Sequence, residues 1–172
     1  MKFPFLLWSN AVVFAAYLAG HLFDLCIIIP YWKSGAIDEI LLFNDFFHAT
    51  SPVNFYRIIM YISTTLSLFS FILYYGKGNP IRIFLFISLL INILIGAVTI
   101  SFFTPIDEYL FLEQSGALEA ERVRQYVTQW VRADYLRLTL ITIGFYTSVM
   151  AVHFSYLKSR YLHNGISVNI SR

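Results

Sequence analysis

Cysteine is almost missing from this chain: Cys26 is the only one in 172 residues. That excludes an internal disulfide and a cysteine-based metal cluster. Charge is scarce as well. Charged residues make up 13% of the chain, against roughly 25% in a soluble domain. A net charge of +2 is too small to suggest nucleic-acid binding. The chain has no phosphate loop, no glycine-rich nucleotide fingerprint and no Ser-His-Asp order. It has no internal repeat, no low-complexity tract and no stretch that reads as a soluble domain. One compact domain is expected over this length.

What is abundant is apolar sequence. Hydrophobic residues reach 58% and mean hydropathy is +0.66. They come in blocks long enough to cross a hydrocarbon core of ~30 Å, which takes about 20 helical residues. The blocks predict membrane helices over residues 3–29, 55–75, 81–103 and 135–156. The first differs from a signal peptide. Its apolar part is too long, it carries His21 and Asp24, and no small-x-small site closes it. It is expected to stop at Pro30, with Tyr31 and Trp32 as interfacial aromatics. Lys33 to Asn54 reads as a loop with a short interfacial helix around Ile40 to Phe47. Ser51-Pro52 signals the next helix start, and Gly76 to Pro80 a tight turn.

Thr104-Pro105 is expected to end the third block. A polar helix over 117–134 follows, with Leu118, Val123, Tyr126, Val127 and Trp130 on one apolar face. It should run into the fourth membrane helix, with or without a bend. The tail after Tyr156 carries an Asn164-Gly165 turn signal and reads as mobile. The expected fold class is therefore all-α: an antiparallel four-helix transmembrane bundle with an extra polar or interfacial helix before the last span.

Charge placement orients this bundle. The side shared by both termini and the second loop holds Lys2, Lys77, Arg82, Lys158, Arg160 and Arg172, and no acid. The positive-inside rule then places both termini in the cytoplasm, most simply at a bacterial inner membrane. The other side also holds Lys33, Arg57, Arg122, Arg124, Arg132 and Arg137, so the bias is one of position, not number.

Ionisable groups converge on the outer half. Tyr17, His21 and Asp24 share one face of the first helix at i, i+4 and i+7. Asp24 lies about 8 Å short of Pro30 and His21 about 13 Å. Asn54, Arg57 and Tyr61 open the second helix, and Asn92, Thr99 and Phe103 approach from the third. Trp130, Asp134 and Arg137 fall on one face where the fourth begins. The inner half reads as almost purely apolar, apart from hydroxyls and His153. A charge in the membrane costs roughly 2.5–3.5 kcal/mol on insertion scales, so such groups face inward and find partners. Two readings fit: a ligand pocket, or a satisfied network that only holds helices in register. For Trp130 and Arg137 an interfacial anchor is the plain alternative.

Metal sites fare less well. His21, Asp24 and His48 could hold an ion, but their spacing is not diagnostic, and none is assigned. Haem between His21 and His153 is excluded by depth, since the two differ by roughly 15 Å along the bundle. His163 reads as a solvated tail residue.

The C-terminal half carries a resemblance. Val98-Thr99, Phe103-Thr104-Pro105-Ile106-Asp107, a charged helix and Trp130-x-x-x-Asp134-x-x-Arg137 resemble the anthrone-oxygenase-like family of small four-helix membrane proteins. Gly20, Pro30-Tyr31-Trp32 and the Phe-rich loop fit more loosely. The family has Asn, or Asn or His, where this chain has Asp107 and Asp134. The resemblance implies oxidation of a hydrophobic aromatic or quinone-type substrate by molecular oxygen with no cofactor. Asp107, Trp130, Asp134 and Arg137 are the matching positions.

Chemically, Asp134, Asp24 or His21 would act as base, and Arg137 or Arg57 would stabilise the oxyanion. Tyr17, Arg57, Tyr61, Asn92, Thr99, Asp107 and Trp130 would line the substrate site. Membrane lipid is the expected surrounding partner, and nucleic acid is not expected. A non-enzymatic lipid-binding or accessory protein is the competing reading. A proton-coupled transporter would need a polar route past Asn92 towards His153.

Overall fold

The computed structural model describes residues 4–46, 52–75, 79–112 and 118–163. Among these, five helices form. They are α1 (Pro4–Trp32), α2 (Ile37–Phe46), α3 (Pro52–Leu73), α4 (79–112) and α5 (Ala120–His163). All but α2 are long and apolar enough to cross a membrane. α1 packs on α3 and α5, and α4 packs on the same two helices.

Three boundaries differ from expectation. Pro30 does not end α1, which runs on through Trp32. Thr104-Pro105 does not end α4, which continues to 112. The polar helix before the last span runs straight into it, as expected, within a single 44-residue α5. That helix also passes Tyr156, where a tail was expected. The Gly76–Gly78 turn, Phe47, His48, Ser51, Lys2, Lys77, Ala117, the Asn164-Gly165 signal and Arg172 lie outside the described residues.

The two prolines are accommodated in the same way. A proline ring clashes with the carbonyl four residues back and brings no N–H of its own. In α1 a π-helical turn spans Asp24–Ile28, and the Ile29 N–H donates to the Asp24 carbonyl. In α4 one spans Thr99–Phe103, and the Thr104 N–H donates to the Thr99 carbonyl. In each helix the widened turn begins six residues before the proline. It contains the carbonyl that the ring would strike, and the helix continues. Such turns concentrate at functional sites. Here both contribute residues to the same cavity.

Side chains pack in three apolar layers along the helices. One joins Leu7, Tyr74, Ile81, Leu85 and Ala151. The next holds Phe14, Tyr17, Ile59, Met60, Ile91, Ile95 and Ile141. The third gathers Ile29, Trp32, Ile40, Phe103, Ile106, Leu110, Val123, Val127 and Trp130. In lipid no hydrophobic gain separates these residues from the tails outside, so close packing must hold the helices together.

Gly144 shows how close that packing is. A Cβ there would run into Cε1 of the fully buried Phe14. Gly144→Ala is expected to destabilise the fold by about 1–3 kcal/mol, as overpacking does. Gly20→Ala, whose Cβ meets the exposed Phe55 ring at 2.7 Å and Tyr56 at 3.3 Å, should cost less, because the Phe55 ring can swing outward. Unfolding titrations of both variants in detergent check this contrast.

Candidate functional site

The half of the bundle nearer Pro4 and His163 buries two amides beside the hydroxyls expected there. A belt of buried polar side chains crosses all four long helices. Asn10 donates to Ser148 at 3.0 Å and accepts from Ser67 at 2.8 Å. Asn92 donates to Ser67 at 2.9 Å, while Ser88 meets Thr147 at 2.8 Å and Ser148 at 3.2 Å. Asn92, expected among the substrate-binding residues, thus belongs to this belt and does not line the cavity described next. Serines are easily passed over in an apolar run, yet Ser63, Ser67 and Ser70 recur at i, i+4 and i+7. That spacing was the available signal. The belt lies between two apolar layers, and His153 beyond it is exposed. Asn10→Ala removes two interhelical hydrogen bonds, each worth about 0.6 kcal/mol in a membrane protein. A loss of about 1 kcal/mol is expected, read by the same unfolding titration.

At the level of the two π turns lies a cavity of about 150 Å³. Its wall from α1 is Tyr17, Asp24, Ile28, Ile29 and Trp32. Phe43 comes from α2, and Tyr56, Arg57, Met60 and Tyr61 from α3. The α4 wall is Thr99, Ile100, Thr104, Asp107 and Phe111, and α5 supplies Trp130 and Arg137. The structure therefore brings together Tyr17, Asp24, Arg57, Tyr61, Thr99, Asp107, Trp130 and Arg137 from the expected set.

Two expected catalytic residues stand elsewhere. His21 and Asp134 are buried, but neither lines the cavity. Asp134 Oδ1 accepts from Arg137 Nε at 3.0 Å and from Nη2 at 2.5 Å. His21 Nδ1 lies 3.5 Å from the same oxygen, and its ring stacks on Tyr56 at 4.6 Å between centroids. Helical geometry explains the order. Asp134 and Arg137 are one turn apart on one face, so the shorter side chain sits at the helix while the guanidinium reaches past it. Asp134 is thus the counterion that positions Arg137. The guanidinium carbon also lies 3.9 Å from the Phe103 ring centroid, so stacking restrains it on a second side.

The cavity acids are held differently. Asp107 accepts a 2.7 Å hydrogen bond from the Trp130 indole N–H. Asp24 accepts one from the Tyr56 hydroxyl. Each neutral donor fixes its carboxylate without neutralising its charge. Two cavity-lining groups, the Trp32 indole N–H and the Thr99 hydroxyl, are buried without a hydrogen-bond partner among the described residues. A buried donor left unpaired costs about 1–3 kcal/mol, so a small shift of either side chain towards a guest oxygen would be favourable.

Sequence reasoning placed Trp32 at the interface; in the structure it is 1% exposed. It packs edge-on against Trp130 at 5.1 Å and Phe111 at 5.5 Å. The cause is the uninterrupted α1, which carries Trp32 over the cavity instead of into a loop. Tyr56 was also missed. Its signal was the four-residue spacing from Tyr56 to Met60, which puts both against the layer of Phe14, Tyr17 and Ile95. No family model, no curated protein and no solved structure matches the chain. Among the described residues, no three His, Cys, Asp or Glu side chains gather so as to hold a metal ion.

The site is thus an aromatic chamber with two anchored carboxylates, a positioned guanidinium and spare hydrogen-bond donors. Such a chamber can hold a flat ring, accept a proton from it and receive negative charge on its oxygen.

Proposed function

We propose that this chain is an integral membrane protein of the inner membrane, an antiparallel four-helix bundle with both termini in the cytoplasm. Its cavity, in the extracytoplasmic half, takes a hydrophobic aromatic or quinone-type substrate and oxidises it with molecular oxygen. The observation that carries this reading is the joint lining of one cavity by Asp24, Asp107, Arg137 and the rings of Trp32, Trp130 and Phe111. The resemblance of the Trp130-Asp134-Arg137 segment to the anthrone-oxygenase-like family supports the same reading, including the absence of a cofactor.

The reaction balances with one oxygen molecule per substrate. A phenol or anthrone has an acidic proton and, once ionised, an electron-rich ring carbon. Asp24 accepts the proton, and Arg137 stabilises the oxyanion through the part of its guanidinium that Asp134 does not engage. The ring carbon adds oxygen to give a hydroperoxide. Loss of water turns the original C–H carbon into a carbonyl, so substrate plus oxygen becomes quinone plus water. The apolar surroundings favour both reactants, because oxygen partitions into lipid.

One observation favours a second reading, that of a non-enzymatic lipid-binding protein. His21, Asp134 and Arg137 form a compact group that would hold helices in register with no reaction at all. Oxygen uptake separates the two. Purified protein in lipid nanodiscs, given a panel of anthrone and alkyl-phenol substrates, should consume oxygen and form quinone with at least one of them, with no effect of a metal chelator. No uptake above the protein-free rate with any of these substrates overturns the enzymatic reading.

A further inference from the structure

The cavity is open on one side only partly covered by protein. Four of its lining residues are exposed, and all four come from α3 and α4: Arg57, Tyr61, Ile100 and Thr104. Tyr61 is 61% and Ile100 67% exposed. The surface around them is apolar, with Ile58, Ile62 and Ile93 also exposed on the same two helices. In a bilayer this surface faces acyl chains. Tyr61 lies about 10 Å along α3 from Asn54, inside the hydrocarbon boundary, while Arg57 sits nearer the headgroups. The mouth therefore opens sideways into lipid and not along the helix axes to water.

Size adds a second constraint. A dry cavity of about 150 Å³ in another protein accommodates one benzene ring. The chamber here has that volume. One ring fills it, and the rest of a longer guest must lie in the open mouth. Trp32 and Thr99 belong to the lining, and their indole N–H and hydroxyl, unpaired among the described residues, are donors that one oxygen on that ring can recruit.

We infer that the ligand is a single-ring phenol or quinone carrying an aliphatic tail. It enters from the bilayer between α3 and α4, and leaves the tail in lipid past Tyr61 and Ile100. This rests on the aromatic-pocket reading above and narrows its substrate class. The tail supplies affinity outside the chamber and concentrates the ligand in the membrane. The single ring fills the chamber, and the tail takes the open side. Arg57, exposed at the headgroup end of the mouth, offers a point where a polar ring substituent can pause on the way in.

The test is binding in lipid nanodiscs, followed by quenching of tryptophan fluorescence and by native mass spectrometry. The probes are decyl-1,4-benzoquinone, decylbenzene and anthraquinone. The proteins are wild type, Ile100→Trp at the mouth, and Leu90→Trp at an exposed position on α4 outside the cavity lining. Decyl-benzoquinone should bind wild type and Leu90→Trp alike. Ile100→Trp should weaken it about tenfold, and decylbenzene and anthraquinone should bind at least about tenfold more weakly.

Equal binding of anthraquinone and decyl-benzoquinone to wild type overturns the single-ring inference while leaving the pocket reading intact. Unchanged binding to Ile100→Trp overturns the lateral route. Binding of none of the three probes overturns the pocket reading itself, and with it this inference.

Discussion

Asp134→Ala is expected to destabilise the protein by about 3–5 kcal/mol, the usual cost of stranding one member of a buried ion pair. Arg137 would keep its charge and lose both hydrogen bonds to Asp134 Oδ1. Its remaining restraints would be the Phe103 and Trp130 rings, and stacking worth about 2 kcal/mol does not replace a carboxylate. The double variant Asp134→Leu/Arg137→Met should recover most of the stability, because it removes both charges and fills the space with apolar atoms. It should not recover oxygen uptake. A single variant within about 0.5 kcal/mol of wild type would show that Arg137 does not depend on Asp134. The same logic makes Arg137→Ala a poor probe of catalysis, since it strands Asp134 beside His21. Arg137→Lys keeps the charge pair and loses the planar fork, so it tests oxyanion stabilisation more cleanly.

The second large effect belongs to Asp24. Asp24→Asn should reduce turnover by about 10²–10⁴-fold, the range for loss of a general base. Stability should change little, because the amide oxygen can still accept from the Tyr56 hydroxyl. Asp107→Asn is the informative companion. Its carboxylate is clamped by the Trp130 indole at 2.7 Å, and an amide oxygen can take that bond as well. If Asp107 orients the substrate, its variant raises KM and leaves kcat within a few-fold. Steady-state oxygen uptake on both variants separates the two roles. A kcat loss confined to Asp107→Asn would exchange them.

Much of this arrangement could be read from the sequence. Long apolar runs with few charges leave little choice but membrane-length helices, and four such helices are present. The i, i+4 and i+7 spacing of Tyr17, His21 and Asp24 correctly places all three side chains in the interior. Trp130, Asp134 and Arg137 are buried by the same rule. The proline boundaries could not be read. Pro30 and Pro105 are ordinary stop signals, and only three-dimensional context lets a π turn absorb each one.

Those boundaries mattered for the site. An α1 that stopped at Pro30 would leave Trp32 out of the cavity. An α4 that stopped at Phe103 would free Asp107 from Trp130. The division of labour among the acids was also hidden. Helical spacing says which residues share a face, but not which side chain reaches the cavity and which remains behind it. Asp134 and His21 proved to stand behind, whereas Asp24 and Asp107 line the chamber. The hydroxyls of the polar belt were legible, but not their pairing with Asn10 and Asn92, because serine and asparagine scarcely interrupt an apolar run.

Native mass spectrometry of protein released from gentle detergent tests the central claim most directly. Wild type should carry a small aromatic or quinone-like adduct, and Asp134→Leu/Arg137→Met, with its guanidinium removed from the chamber wall, should not. Fragmentation of the adduct would then give the substrate class. Wild type free of adduct, with neither retention of added decyl-benzoquinone nor a change in stability on adding it, would contradict the account and leave the polar cluster as a device for holding helices in register.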